Sequence, residues 1–426
     1  MPTLISHVSW SAILLPSIVA LSLLLMLLRP LQVAEAWWVG AGALLLIALG
    51  QTSVKAALHA VAQGTDVSLF LIGMMLLAEL ARSHGVFDWL ASLAMRDAKG
   101  SCSRLFATVT LVGVLVTALL SNDATAVVLT PAILAVVRKA RLSPLPYLFL
   151  CALMANAASF VLPISNPANL VVFHAGMPPL VLWLRLFAVP SLAAIGMTFA
   201  VLRVMFRKQL DGAIQEQVER VTLSAGGRLV LWGLGLVILV LLAASALRME
   251  LGLPTLLAGL AIAAAASLYE RRDPRPLLRE VSWSTILLVA GLFVLVNVAE
   301  AHGALKIMQG WLVEAQRLPD GAAAMAVGLA LGVFNNLVNN LPLGLIAGGA
   351  VQAAHAHGLM AQAAMLGIDL GPNLSVTGSL ATILWLTALR REGIEMSGWT
   401  FFKLGMVAMP LALAAALGSA VAMAGR

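Results

Sequence analysis

The chain has 426 residues, of which 61% are hydrophobic and only 11% charged. That leaves too little polar surface to cover a soluble globule and excludes a water-soluble architecture. The formal net charge of +7 would suggest nucleic acid in a soluble protein, but here the basic residues lie in loops between apolar runs, where they report membrane orientation, so no nucleic-acid partner is expected.

A hydrocarbon core about 30 Å thick needs roughly 20 apolar residues per helix, and such runs recur from residues 11–28 to residues 400–422. Ala34-Glu35-Ala36 resembles a leader cleavage site. The first run is nevertheless read as a retained span, because no Lys or Arg precedes it and it is long enough to cross. In chain order, the first half carries spans at about 9–29, 35–51, 67–83, a broken span at 147–176, and 181–203. A re-entrant hairpin with arms at about 104–120 and 124–140 lies between the third and fourth spans. Before it, Val86, Phe87, Trp89, Leu90 and Leu93 form an apolar stripe at helical spacing, too short to span, which reads as an interfacial helix or an ordinary loop helix. A polar linker over 204–227 follows. The second half has spans starting near 228, 253, 284, 359 and 400, hairpin arms at 321–335 and 341–353, and a second interfacial stripe of Leu305, Met308, Trp311 and Leu312.

The halves repeat. A shift of 218 residues places Gly73, His84, Gly85 and Asn122 on Gly291, His302, Gly303 and Asn340; at the later loop the shift is 212, and Ser165 meets Thr377. Five crossings separate the third span from its mate, an odd number, so the halves are expected to be inverted. The fold class is therefore an all-α polytopic membrane protein of two inverted repeats, 1–203 and 228–426, each with five spans and a hairpin. This topology sorts the 26 Lys and Arg residues twenty to one side and six, Lys55, Arg185, Arg248, Lys306, Arg317 and Arg426, to the other. The positive-inside rule makes the richer side cytoplasmic, with both termini periplasmic and the chain in the inner membrane.

Four stretches interrupt the apolar pattern: SNDATAVVLTP from Ser121, ISNPANL from Ile164, NNLVNNLP from Asn335 and GPNLSVTGSLAT from Gly371. Unwound backbone at membrane depth is tolerated only when buried in protein or lining a wet cavity. Half-helices starting after Asn122, Asn166, Asn340 and Gly378 would aim free N–H groups at one central site that favours oxygen-rich ligands. Around it are expected Ser121, Asn122, Thr125, Ser165, Asn166, Asn169, Asn336, Asn339, Asn340, Thr377 and Ser379. Their common property is neutral hydrogen bonding. No Lys or Arg lies in these stretches, so a small uncharged polyol-like solute fits better than a di- or tricarboxylate. Two carboxylates sit at the breaks, Asp123 and Asp369, and intramembrane carboxylates are functional by default. The mate of Asp123 is Leu341. A single titratable group at the paired tips suits proton coupling, with the helix dipole favouring its charged form and desolvation its neutral form. The two cysteines, Cys102 and Cys151, make neither a disulfide framework nor a metal motif; no structural metal, cofactor or catalytic constellation is expected.

SNDATAVVLTP, ISNPAN, NNLP and above all DLGPNLSVTGSLATILW from Asp369 to Trp385 resemble the ArsB-type arsenite and antimonite permeases of the ion-transporter superfamily. The likeness extends to GMMLLAELARSHGVF near Gly73 and covers nearly the whole chain. It implies paired hairpins, efflux of the trivalent metalloid hydroxide and proton antiport, with an ArsA-type ATPase as partner in some members. A second copy of the chain in a homodimer is a further partner to consider. Relatives that carry dicarboxylates with sodium use Ser-Asn-Thr at both tips, whereas here the tips read Ser-Asn-Asp and Asn-Asn-Leu. ArsB-like exporters of silicic acid and Na+/H+ antiporters are the alternative readings; a membrane enzyme or receptor is the alternative of a different class.

Overall fold

The computed structural model describes residues 10–28, 30, 33–174, 176–214, 221–271 and 273–425. Arg29, Arg220, Arg272 and Arg426 of the charge assignment lie outside the described residues. Every regular element longer than an isolated bridge is helical among the described residues. The first half runs α1 (Trp10–Leu28), α2 (Glu35–Ala48), α3 (Val54–Gln63), α4 (Thr65–Ser83), α5 (Val86–Asp97) and α6 (Cys102–Leu119). Next comes α7, which starts as Asn122–Ala124, passes through a π-helical stretch Thr125–Leu129 and ends as Thr130–Lys139. Then follow α8 (Leu145–Ala157), the short α9 (Pro167–Val172) and α10 (Leu180–Met205). The second half runs α11 (Ala225–Ala246), α12 (Gly252–Glu270), α13 (Trp283–Ala301), α14 (Ala304–Ala315), α15 (Asp320–Val338), α16 (Asn340–Ala353), α17 (Leu359–Leu370), α18 (Leu380–Arg391) and α19 (Gly398–Ala424).

Seven of the described helices are long and apolar enough to cross a membrane, and up to eight if α3 and α4, bent by 51° at their junction, form one span. Both apolar stripes are helical, as α5 and α14. Two features differ from the sequence reading. Residues 54–63, between the second and third spans, form a further helix, α3, whose N-terminus is capped by Ser53 accepting from Ala56 N at 3.1 Å. The first hairpin arms, α6 and α15, are each among the helices long enough to span; inversion does not depend on this, because two crossings per hairpin leave the parity unchanged.

Packing divides the helices into two groups. In one, α4 lies on α12, α2 on α13, α1 on α2 and α11 on α12. In the other, α6 packs on α8, α15 on α17, α8 on α10, α17 on α19, and α10 on α19. Under the repeat offset these contacts map onto one another, α4 on α12 becoming α13 on α2 and α6 on α8 becoming α15 on α17, while α10 on α19 maps onto itself. Small residues allow the close approaches, as is usual between helices in lipid, where dispersion rather than water exclusion drives packing. At Gly73 a Cβ would come within 2.6 Å of the Thr255 backbone of α12; at its mate Gly291 one would meet the Val39 side chain of α2 at 2.8 Å. Gly73→Leu is accordingly expected to overpack the α4–α12 seam by about 1–3 kcal/mol or more, read as a lowered Tm in detergent, whereas Gly85→Ala, with open space around its Cβ position, tests only the backbone cost of a φ of 70°.

The matched histidines behave alike. His84 Nδ1 meets Leu80 O at 2.8 Å and His302 Nδ1 meets Val298 O at 2.9 Å, each at a helix end followed by a glycine with positive φ. Both therefore cap helix C-termini, as their spacing suggests.

Candidate functional site

The helix breaks lie within the second packing group, and side chains that cannot pair with water there must find partners in the protein. At the tip between α6 and α7, Ser121 has an extended backbone and its Oγ accepts from Ala124 N at 3.1 Å. Asn122 Oδ1 accepts from Asp123 N at 2.9 Å. Thr125, fully buried, lies 2.8 Å from Thr117 through their hydroxyls, and Thr130 Oγ1 donates to Thr125 O at 3.0 Å. Thr130 thus takes up a carbonyl that the π-helical stretch presents. The Asp123 side chain is partly buried.

Between α8 and α9 the chain unwinds from Ala158 to Asn166. Ser165 Oγ donates to Ala118 O of α6 at 3.1 Å, tying this break to the first tip. Asn166 caps α9 by accepting from Ala168 N at 3.0 Å, and its Nδ2 donates across to Asp369 Oδ1 at 2.8 Å. Asn169 Nδ2 holds the break together by donating to Ser159 O at 2.9 Å, Pro163 O at 3.2 Å and Leu162 O at 3.3 Å.

The second tip and second break are linked more densely. Asn336 Nδ2 donates to Gly332 O at 2.9 Å and Gly371 O at 3.0 Å, while its Oδ1 accepts from Ser375 Oγ at 2.7 Å. Thr377 Oγ1 donates to Asn336 O at 2.9 Å, and Asn339 Nδ2 to Thr377 O at 3.1 Å. Asn339 has a φ of 84°, a region asparagine tolerates better than most side chains, and caps α16 by accepting from Leu341 N at 3.4 Å. Ser379 caps α18, accepting from Thr382 N at 3.2 Å.

The same bond recurs in both halves: Ser165 to Ala118 O and Thr377 to Asn336 O join positions related by the two offsets seen in the sequence, 212 and 218. The second arms cross over, α7 packing on α18 and α16 on α9. Two side-chain bonds bind the breaks to each other, Asn166 to Asp369 and Asn156 Nδ2 to Asn373 Oδ1 at 2.9 Å.

Of the expected residues, the structure therefore joins Asn166 to Asp369, Ser165 to the first tip, and Asn336, Asn339 and Thr377 into one network. Asn122 and Asn340 are buried at their tips, and among the described residues no hydrogen bond joins them to each other. The helix starts fall on Asn122, Pro167, Asn340 and Leu380, so that Ser121, Asn166, Asn339 and Ser379 are the caps. At both tips the half-helix starts one residue earlier than expected, and in the last break one residue later. Sequence reasoning passed over Asn156, Asn335 and Asn373, all buried, and Thr117. Asn156 carried a usable signal, a lone amide within an apolar helix, since such a group needs a partner. Five buried oxygens in this region accept no hydrogen bond from the protein: Oδ1 of Asn156, Asn169, Asn335 and Asn340, and Oδ2 of Asp369. Cys102 and Cys151 are buried and far apart in the chain, and no group of three His, Cys, Asp or Glu side chains suited to a metal occurs among the described residues.

Comparison with known proteins places these features in a family. A model of the citrate transporter family, CitMHS, matches residues 5–369. An arsenical pump membrane protein of Escherichia coli is 25% identical over 411 residues, covering 92% of this chain and 94% of that one. Its counterpart from Yersinia enterocolitica is 25% identical over 354 residues, covering 79% and 81%. Among solved structures, the YdaH transporter of Alcanivorax borkumensis superposes with a TM-score of 0.59 at 14% identity, covering 98% of each chain, and shares the fold. The chain belongs to the citrate transporter family, and over most of its length it is similar to arsenical pump membrane proteins.

Proposed function

We propose that the protein is a secondary transporter that exports trivalent arsenite, and antimonite, as the neutral hydroxide, driven by inward flow of protons. The observation that carries the reading is the chemistry of the breaks. They present amides, hydroxyls, helix N-termini and five buried oxygens without a protein donor, and the four interrupted stretches contain no Lys or Arg. Arsenous acid is a small neutral triol, so its three O–H groups can donate to such oxygens and its own oxygens can accept from Asn and Ser or Thr side chains. A tricarboxylate is disfavoured despite the family's description, since it would need cationic partners and would face Asp369 and Asp123. A thiolate trap is not required, and two separate buried cysteines could not supply three sulfurs.

Substrate contact is assigned to Ser121, Asn122, Thr125, Ser165, Asn166, Asn169, Asn336, Asn339, Asn340, Thr377 and Ser379, and proton coupling to Asp123 and Asp369. The recurrence of helix contacts and of the Ser165 and Thr377 bonds supports two inverted repeats, 1–203 and 228–426, joined by a cytoplasmic linker at 204–227. Charge sorting supports an inner-membrane location with periplasmic termini. Uptake into inverted vesicles under an imposed pH gradient, comparing arsenite, antimonite, silicic acid, citrate and sodium, tests the assignment; arsenite and antimonite should accumulate. Accumulation of silicic acid or sodium in their place would favour the alternative exporters.

The two packing groups suggest how access alternates. The group holding the breaks shifts against a scaffold built on α4–α12 and α2–α13, with α5 and α14 as tethers. Leu292 and Phe293 of α13 and Leu341 and Leu345 of α16 line one small apolar cavity across this boundary. A cysteine pair, Leu292→Cys with Leu345→Cys in a background lacking Cys102 and Cys151, should transport when reduced and stop when cross-linked; full transport after complete cross-linking would contradict the moving-group account.

A further inference from the structure

A cavity of about 490 Å3 lies away from the breaks, between α5, the segment 221–223 and the start of α11. That falls within the roughly 300–1,000 Å3 typical of small-molecule sites. Its walls include Trp89, Ser92, Arg96, Thr222, Arg228 and Trp232, and among the described residues its lining contains two arginines and no carboxylate. The walls are tied in place. Ser92 Oγ accepts from Val221 N at 3.2 Å, and one Arg228 nitrogen donates to Leu223 O at 3.2 Å. Gly227 packs so closely that a Cβ would lie 2.8 Å from His84 O, which fixes α11 against the end of α4. Arg96 has a neighbouring acid, Asp97, at 3.3 Å, and both are exposed.

Arg228, Leu231 and Trp232 of α11 form part of the cavity wall. α11 is one of the helices long and apolar enough to span, and from Arg228 an outward stripe runs through Trp232, Leu236 and Leu239, which are 80%, 58% and 64% exposed. Four- and three-residue steps keep these side chains on one face. The result is two arginines in the wall, two amphipathic tryptophans of the kind that settle at headgroup depth, and an apolar track continuing along α11.

We propose that this cavity binds the headgroup of an anionic phospholipid. The phosphodiester sits between Arg96 and Arg228, the glycerol hydroxyls of a headgroup such as phosphatidylglycerol reach Ser92 or Thr222, and one acyl chain lies along Trp232, Leu236 and Leu239. Charge complementarity selects the anionic headgroup, since basic pockets beside membrane helices attract such lipids, and the apolar stripe selects a lipid over a free anion. Nothing in this site touches the helix breaks, so it stands apart from the transport assignment.

The test is thermal unfolding of the purified full-length protein in detergent, titrated separately with phosphatidylglycerol, phosphatidylcholine and inorganic phosphate. A ligand that binds only the folded state raises Tm in a concentration-dependent way. Phosphatidylglycerol should raise Tm and the other two should not. The Arg96→Gln/Arg228→Gln protein, read against its own lipid-free Tm because Arg228 also bonds Leu223 O, should need at least about tenfold more phosphatidylglycerol for the same shift, the order expected when charge-assisted bonds to a phosphate are lost. Arg96→Lys/Arg228→Lys should retain most of the response. Equal stabilisation by phosphatidylcholine would reduce the site to apolar contact and overturn the proposal. An equal shift with inorganic phosphate would make it a soluble-anion site, and an unchanged phosphatidylglycerol response in the double Gln protein would remove the arginines from it; either overturns the proposal.

Discussion

Asp123→Asn is expected to abolish gradient-driven accumulation of arsenite while leaving equilibrium binding largely intact. The substitution keeps the size and hydrogen-bonding capacity of the side chain but removes its titration. Asp123 sits in the first turn of α7, beside Asn122 and Ser121 at the tip, and has no acidic counterpart at the second tip, where Leu341 occupies the matching position. Facing the periplasm, where the driving force supplies protons, it would load one as arsenite leaves; facing the cytoplasm it would release that proton as the next arsenite binds. Competition of proton and substrate for one site couples the two without a leak, and the two bound states need differ in affinity only as much as the gradient requires. With one proton exchanged per substrate, a pH difference of one unit sustains about tenfold accumulation, so the parent should approach that ratio in inverted vesicles and the variant should fall to equality. If Asp123→Asn still concentrates arsenite as the parent does, the coupling role passes to Asp369.

Asn166→Ala is expected to produce the largest loss of stability among single changes at the breaks, together with loss of transport. Its amide nitrogen is the donor to Asp369 Oδ1, and its amide oxygen caps α9. Losing the cap alone costs about 0.5–2 kcal/mol. Asp369 is fully buried and its second oxygen already lacks a protein donor, so removing Asn166 strips the carboxyl of its side-chain partner, at about 1–3 kcal/mol if neutral and more if charged. Asp369→Asn presents an acceptor oxygen in the same place and should unfold near the parent temperature. Asp369→Ala should not. In the double-mutant cycle of Asn166→Ala with Asp369→Ala, direct contact predicts a coupling of about 0.5–3 kcal/mol, measured by thermal unfolding in detergent. Strict additivity would show that the bond across the two breaks carries no energy.

Much of the architecture could be read from the sequence because its physical basis is local or periodic. Runs of apolar residues fix where helices can lie in lipid, and the 218-residue offset in Gly73, His84 and Gly85 reappears as matching helix contacts and matching histidine caps. The four interruptions were visible because Asn, Ser and Pro clusters stand out in an apolar chain. Less legible was which polar groups meet. Asn156 and Asn373 lie 217 residues apart in the chain and bond only because the two breaks lie against each other, a relation no local pattern encodes. The helix starts at the tips lie one residue earlier than expected because several consecutive polar side chains there can cap, and tertiary packing selects Ser121 over Asn122 and Asn339 over Asn340. α3 escaped detection for a related reason: its alternation of Lys55 and His59 with apolar residues gives an amphipathic helix too short and polar to register as a span.

The central claim, that the meeting of the broken helices binds a neutral metalloid hydroxide and couples it to protons, is tested most directly by reconstituting the purified protein in proteoliposomes and measuring arsenite and citrate uptake side by side under the same imposed pH gradient. Arsenite should accumulate in the protein-containing vesicles, a protonophore should abolish this accumulation, and citrate should neither accumulate nor compete. Gradient-driven accumulation of citrate with arsenite excluded would contradict that claim.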